Sequence, residues 1–381
     1  MNAIQKHLIG LIINPISGMG GTVGLKGTDG PAILQKAIEL GAKPSALKRV
    51  EEMLKELNPI KPKLKFLTCP GEMGGFILNS NDFCFNLIEH EIFESLQENE
   101  RTSAEHTIVA ARIMKKIDKL ELIIFFGGDG TARDVLKAIG LEKPSLGVPS
   151  GVKVYSGVFA LNPKDAALLI MQYLWGEIPL KESEVLDIDE NKYRQGKLVS
   201  KMFGHLLTPS NPDFSQLSKM GTPHSDLSNQ ERIARRIVET MEENMYYLIG
   251  PGTTTKAITD ILKQDKTVLG VDLILNGEII ERDLNEHAII ENIKGKKTKI
   301  ITSLIGRQGF LFGRGNLQFS PRVLEMVGTS NIIVISTVFK MNNIPNQTLH
   351  IDTRDPTFDE SMRGLYKIIV DYDLEMICKV E

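Results

Sequence analysis

The chain has 381 residues, which at roughly 150 residues per domain points to two domains or three. Its 45 basic and 48 acidic side chains leave a formal charge of −3, a near-balance that excludes a general polyanion binder, because sequence-independent nucleic-acid binding needs a basic surface. A hydrophobic content of 42% with 24% charged residues excludes long-range disorder, and no apolar run approaches the roughly 20 residues that span a bilayer.

The amino terminus, MNAIQKHLIGLIINP, lacks the cleavage pattern of a signal peptide, and its apolar run 8–13 suits a strand buried on both faces. A glycine-rich stretch follows over 14–31. Residues 45–57 place Leu47, Val50, Leu54 and Leu57 on one helical face, with Ser45 as a candidate cap. LKFLT (64–68) is a short strand. From Thr102 the spacing predicts a helix to Leu120, with Thr102 and Glu105 as a capping box and Ile108, Ala111, Met114 and Ile117 as its buried stripe. ELIIFF (121–126) is a buried strand running into GGDGT, after which TARDVLKAI forms a helix that stops at Gly140. LGV (146–148) is a further strand. Strands alternating with helices imply a parallel, doubly wound α/β layer.

Asn162, Pro163 and Asp165 open a helix that ends before Gly176. Beyond it the texture becomes strand-rich, with runs at 185–189, 196–203, 246–249, 268–275, 278–281, 287–291, 298–304 and 331–336. Turns at Asn276–Gly277 and at KGKK (294–297) separate some of them. Residues 209–230 read as a polar surface loop leading into a capped helix from Ser228 to about Glu243. The expected layout is an α/β domain over 1–160 and a β-rich, mostly antiparallel domain over 161–381, divided near 160–180. The segment 366–372 is expected to pack back on one of the two. Cys69, Cys84 and Cys378 are far apart and form no C-x-x-C, which implies reduced thiols and a cytoplasmic location.

Missing motifs narrow the chemistry. There is no G-x-x-x-x-G-K followed by Ser or Thr, no H-E-x-x-H and no G-x-S-x-G, and the seven histidines are scattered. What stands out is IIFFGGDGTARDV (123–135), a buried strand running through Gly127, Gly128, Asp129, Gly130 and Thr131 into a helix. Glycines at the carboxyl end of a parallel strand let backbone amides approach phosphate oxygens, and the helix amino terminus adds its positive dipole end. An aspartate there repels phosphate unless it does something else: it holds a metal, accepts a proton from a hydroxyl nucleophile, or caps the helix.

G-G-D-G-T after an apolar strand resembles the signature of the NAD kinase and diacylglycerol kinase superfamily. LIINPISGMGG (11–21) is similar to the opening strand and turn of these kinases. LGVPSGVKVYSGVFA (146–160), LIGPGTTTKAI (248–258), LKGTDG (25–30), PGEMG (70–74) and GFLFGRGN (309–316) resemble the AcoX-like branch of the ATP-NAD kinase family. The resemblance implies a two-domain NAD kinase-like fold, an α/β amino-terminal domain and a β-rich carboxy-terminal one, with an active-site cleft between them. It implies ATP as phosphoryl donor, Mg²⁺ accompanying it, NAD as acceptor at the adenosine ribose 2′-hydroxyl, and a homo-oligomer. By the same resemblance Asp129 is the general base. Gly127, Gly128, Gly130 and Thr131 form the phosphate-facing turn, and Asn14 and Ser17 form the first-strand turn beside it. Thr253, Thr254 and Thr255 stand for the family's glycine-and-hydroxyl turn.

The Asn-Glu or Asn-Asp pair that reads NAD in ordinary family members is displaced. LDIDENKY (186–193) offers no such pair, and Asn285–Glu286 is the candidate replacement. Lys153, Arg307 and Arg314 are further candidate substrate contacts, the two arginines flanking a glycine-rich turn. Two rival readings stand beside NAD phosphorylation. One is a superfamily kinase for another small hydroxyl compound, a polyol or an acetoin-related molecule; a lipid acceptor lacks the basic amphipathic helix it would need. The other is a non-catalytic nucleotide sensor.

Overall fold

The computed structural model describes residues 6–19, 23, 31–42, 44–94, 96, 102–150, 154–188, 200–211, 214, 224–305, 309–344 and 347–381. The LKGTDG stretch, Lys153, Arg307 and ENKY (190–193) lie outside these residues. The chain forms two compact units, one of Met1–Met19 with Lys43–Ser218, the other of Gly20–Ala42 with Lys219–Glu381.

In the first unit β1 (His7–Ile13) is followed, after the segment carrying α1 (Pro31–Glu39) of the second unit, by α2 (Ala46–Leu57), β2 (Leu64–Thr68), α3 (Gly75–Ser80) and β3 (Phe85–Leu87). Then come α4 (Ala104–Lys115), β4 (Leu120–Gly127), α5 (Asp129–Ile139), β5 (Ser145–Pro149), α6 (Pro163–Leu174) and the pair β6 (Leu180–Ile188) and β7 (Ser200–Pro209). The five strands order as β3-β2-β1-β4-β5, and every neighbouring pair is parallel, as the alternating pattern predicts. One face packs Val50, Met53 and Leu54 of α2 with Ala166, Leu169 and Ile170 of α6. The other packs Ala111 and Met114 of α4 with Val135 and Ile139 of α5.

Two local expectations change. The capping box on α4 is Ser103 with His106, not Thr102 with Glu105: the Ser103 backbone N–H donates to His106 Nδ1 at 3.0 Å. Ser45 precedes α2, but its hydroxyl turns away from the helix and donates to the Ser150 carbonyl at 3.4 Å.

The division after Ser218 also replaces the one expected at 160–180. The cause is burial. Helix α6 belongs to the first core, and the antiparallel β6–β7 ribbon buries Val185 and Leu206 in the cluster beneath α4 and α5.

The second unit contains α7 (His224–Glu239), β8 (Tyr246–Ile249), α8 (Thr253–Ile261), β9 (Asp272–Leu275), β10 (Glu278–Glu281) and α9 (Glu286–Ile293). It continues with β11 (Thr298–Ser303), β12 (Phe310–Phe312), α10 (Pro321–Val327), β13 (Ile332–Ile335), α11 (Val338–Asn342), β14 (Thr348–Ile351), α12 (Pro356–Ser361), β15 (Gly364–Ile369) and β16 (Glu375–Val380). The nine strands run β10-β9-β8-β11-β13-β15-β16-β14-β12. The unit is strand-rich as expected, but its centre, β8-β11-β13-β15, is parallel, and antiparallel pairing is confined to β8–β9, β9–β10 and β15–β16. Helices cover both faces: α7 and α8 over Tyr247, Ile249 and Ile301, α9 and α10 over Leu248, Ile300 and Val334. Residues 287–291 are part of α9 rather than a strand, and α7 begins at His224 rather than Ser228. The segment 366–372 supplies β15 and stays within the second unit.

Candidate functional site

Parallel α/β sheets bind ligands outside the carboxyl ends of their strands, at the point where the strand order reverses. Here that point lies between β1 and β4. From β1 the chain moves outward to β2 and β3 by way of α2, then returns through α4 to β4 on the other side of β1. The motifs singled out in the sequence lie at the ends of the strands on this one edge: NPISG after β1, PGEMG after β2, GGDGT at the end of β4 and Ser150 after β5.

Direct contacts bind these turns to one another. The Asn14 backbone N–H donates to the Phe126 carbonyl at 3.0 Å, and its Nδ2 donates to Thr131 Oγ1 at 3.1 Å. The Ser150 N–H donates to the Gly127 carbonyl at 3.1 Å. Gly18 has φ +82°, and a Cβ there would lie 1.6 Å from the Ser150 carbonyl oxygen, so only glycine lets the two turns touch. A Cβ on Gly127 would lie 2.3 Å from Thr131 Oγ1, so that glycine makes room for the hydroxyl that Asn14 holds. Nothing lies within 4 Å of where a Cβ on Gly128 would stand, which leaves that side of the backbone open to a ligand. Ser17 is buried within the first turn, and Gly130 is half-buried in the second. Arg49, a buried cation on α2 that the helical pattern did not single out, donates from Nε to the Pro149 carbonyl at 3.2 Å and pins the end of β5.

Asp129 occupies the first position of α5, but the cap is Gly128, with no side-chain cap bond. Helix capping is therefore not what its carboxylate does. Oδ2 accepts the Tyr155 N–H at 2.8 Å. Oδ1 accepts the Ser156 N–H at 2.9 Å and the Ser156 hydroxyl at 2.6 Å. The residue is 7% exposed. Burial pushes its pKa up to about 7 against the lowering effect of these three hydrogen bonds, and the charge of Asp187 on β6 adds to the rise. Asp187 is itself paired with Arg133 of α5 at 2.8 Å. A carboxylate offers about four lone-pair sites, so three bonds leave one, on Oδ2. The arrangement is a half-neutralised carboxylate near neutral pH with one accepting position, beside glycine turns and a helix amino terminus.

In the second unit GPGTTT ends β8. Thr253 is exposed, and Thr254 and Thr255 are fully buried. The Thr255 hydroxyl bonds the Gly250 and Gly252 carbonyls at 2.7 and 2.9 Å and so shapes the turn. Thr254 Oγ1 accepts from Lys340 Nζ at 2.8 Å, and the same ammonium reaches Ser303 Oγ at 3.3 Å. Lys340, absent from the sequence-based candidates, thus joins the carboxyl ends of β8 and β11 to α11. Arg314 is buried rather than an exposed hairpin arginine. Its guanidinium lies over the Phe310 ring, 4.5 Å from the centroid, and 3.9 Å from Asp352, with the residue 6% exposed. Asn285 accepts the Ala288 N–H at 2.9 Å as the cap of α9, and Glu286 lies in that helix's first turn.

Comparison with known families matches residues 9–178 to the ATP-NAD kinase N-terminal domain and residues 242–379 to the ATP-NAD kinase C-terminal domain. The matched segments take in the Asn14 turn, GGDGT and the Asp129–Ser156 contact in the first unit, and GPGTTT and Lys340 in the second. Neither the curated proteins nor the solved structures contain a match.

Proposed function

Since the chain belongs to the ATP-NAD kinase family and so to the phosphotransferases, we propose that it transfers the γ-phosphoryl group of ATP to the adenosine ribose 2′-hydroxyl of NAD, giving NADP and ADP. The observation that carries this reading is Asp129: a buried carboxylate at the strand-order reversal, with its pKa near 7 and one accepting site left on Oδ2.

The donor's phosphates lie along the Asn14–Gly18 and Gly127–Thr131 turns, where backbone amides and the amino terminus of α5 meet negative charge. Oδ2 of Asp129 takes the proton of the acceptor hydroxyl as its oxygen forms the bond to phosphorus and the bond to ADP breaks. Such a base contributes about 10²–10⁴-fold, with the rest of the acceleration coming from positioning and electrostatics. Mg²⁺ bound with ATP supplies neutralisation of phosphate charge. Among the described residues no group of three or more His, Cys, Asp or Glu is placed to hold a metal, and an ion that keeps phosphate and water ligands needs no such cage.

On the family reading Thr253 of the second unit contacts nucleotide, and the exposed Leu365 and Ile377 on the paired strands β15 and β16 favour assembly into a homo-oligomer. A second acceptor class, a small polyol or acetoin-related alcohol, is favoured by one observation: the Asn285 side chain is spent on a helix cap. Incubating the protein with Mg·ATP and either NAD, NADH or a polyol panel separates these readings. NADP formation supports the proposal, phosphorylation of a polyol alone supports the second class, and nucleotide binding without any product points to a sensor.

A further inference from the structure

Ser156 is fully buried, and its hydroxyl stands at a junction of three groups. It lies 2.6 Å from Asp129 Oδ1 and 2.9 Å from the Leu186 carbonyl oxygen, and it accepts the Leu186 N–H at 3.0 Å. A serine hydroxyl carries one proton, so it can donate to only one of the two oxygens at a time. The carboxylate is the better acceptor while it is charged, because charge-assisted hydrogen bonds are shorter and stronger than neutral ones. Once the carboxyl group holds a proton that advantage is gone, and the Leu186 carbonyl offers the hydroxyl an alternative in the same place.

We propose that Ser156 is the positioning residue for Asp129, its hydroxyl proton pointing at Oδ1 while the carboxylate is ionised and turning to the Leu186 carbonyl when the carboxyl group is protonated. A buried group with two available acceptors can satisfy both charge states of its neighbour without moving the backbone. The Tyr155 and Ser156 amides hold the carboxylate's orientation throughout, while β6 is fixed to the same segment by Leu186 and by the Gly157 N–H to Glu184 carbonyl bond at 2.9 Å.

Among the described residues, charged groups accompany Asp129 on β6 and on α5. Asp187 on β6 disfavours its ionisation and is paired with Arg133 on α5. Asp134, one turn along α5, lies 3.9 Å from Lys137. Neither pair touches the Ser156 hydroxyl, so removing that hydroxyl changes one interaction of Asp129 and leaves these charges in place.

The inference rests on the kinase reading for its catalytic meaning, but its test does not. With ¹³C-labelled aspartate, the Asp129 carboxyl resonance is titrated by NMR in the wild type, Ser156→Ala and Ser156→Thr. Loss of a hydrogen bond to the ionised form is expected to raise the Asp129 titration midpoint by about one pH unit in Ser156→Ala, roughly tenfold less ionised carboxylate at pH 6. Ser156→Thr keeps the hydroxyl and is expected to titrate like the wild type. In turnover, the acid limb of the kcat/KM profile moves up by the same amount in Ser156→Ala, with the KM for Mg·ATP unchanged. If the alanine variant does not fold, Ser156→Cys, a weak donor of similar shape, replaces it and shifts the midpoint in the same direction by less. An unchanged midpoint in Ser156→Ala or Ser156→Cys overturns the proposal. A shifted midpoint in a protein that phosphorylates no acceptor upholds it and removes the kinase reading instead.

Discussion

Asp129 meets two opposed physical demands. Burial disfavours its charge, and three hydrogen bonds from Tyr155 and Ser156 favour it, leaving the group balanced around pH 7. As the proposed base it would work only when ionised, so turnover is expected to fall on acidification with a limb near pH 7, checked by the pH dependence of kcat/KM. The stability consequence has a definite sign. The folded pKa lies above the unfolded value of roughly 4, so this group's contribution is fully present below about pH 4 and is lost as pH rises through 7. Wild-type melting temperatures are therefore expected to decline from pH 5 to 8 more steeply than those of Asp129→Asn. Asparagine does not simply replace the aspartate in this place. Its amide nitrogen would face a backbone N–H donor, so that variant is also expected to loosen the Tyr155–Ser156 contact. At Gly18 the argument is steric. Gly18→Ala puts a methyl group against the Ser150 carbonyl at φ +82°, with an expected loss of about 2 kcal/mol or more in chemical denaturation and weaker ATP binding.

At the scale of elements, the sequence shows some features plainly and hides others, for physical reasons. Four of the five parallel strands, β1, β2, β4 and β5, were readable because each is a mainly apolar run with a helix after it, whereas β3 is three residues, FNL, with no such run to mark it. The GGDGT turn was readable because close approach of backbone needs glycine wherever it occurs. Residues 287–291 misled because a short apolar run has no clear period, although Asn285 was there to mark a helix cap. Both Thr102–Glu105 and Ser103–His106 have capping-box spacing, and only the fold selects the second. Ser156 and Lys340 carried no local signal, since each matters through partners far away in sequence: Asp129 for one, Thr254 and Ser303 for the other. Lys340→Met keeps the side chain's stem and removes its donors, leaving two buried hydroxyls without that bond. A stability loss of about 1–3 kcal/mol by urea unfolding is the expected result.

At the scale of the whole chain, the boundary was misplaced because the β6–β7 ribbon has the same texture as the strands beyond it. What assigns it to the first unit is the burial of Val185 and Leu206 beneath α4 and α5, a contact between distant segments. All nine strands of the second sheet and the helices on both its faces lie after Ser218. A fragment of residues 219–381, which lacks only Gly20–Ala42 of that unit, is therefore expected to melt cooperatively by circular dichroism, as a body with its own core does. No helix among the described residues is long and apolar enough to cross a membrane. On the proposed function, the edge where β1 and β4 meet performs phosphoryl transfer with Asp129 as base. Its most direct test is the initial rate of NADP formation from NAD and Mg·ATP at pH 8, measured for the wild type and for Asp129→Asn on preparations whose circular dichroism spectra match. The expected result is turnover by the wild type and a loss of about 10²-fold or more in the variant; equal rates in the two proteins would remove Asp129 as the base.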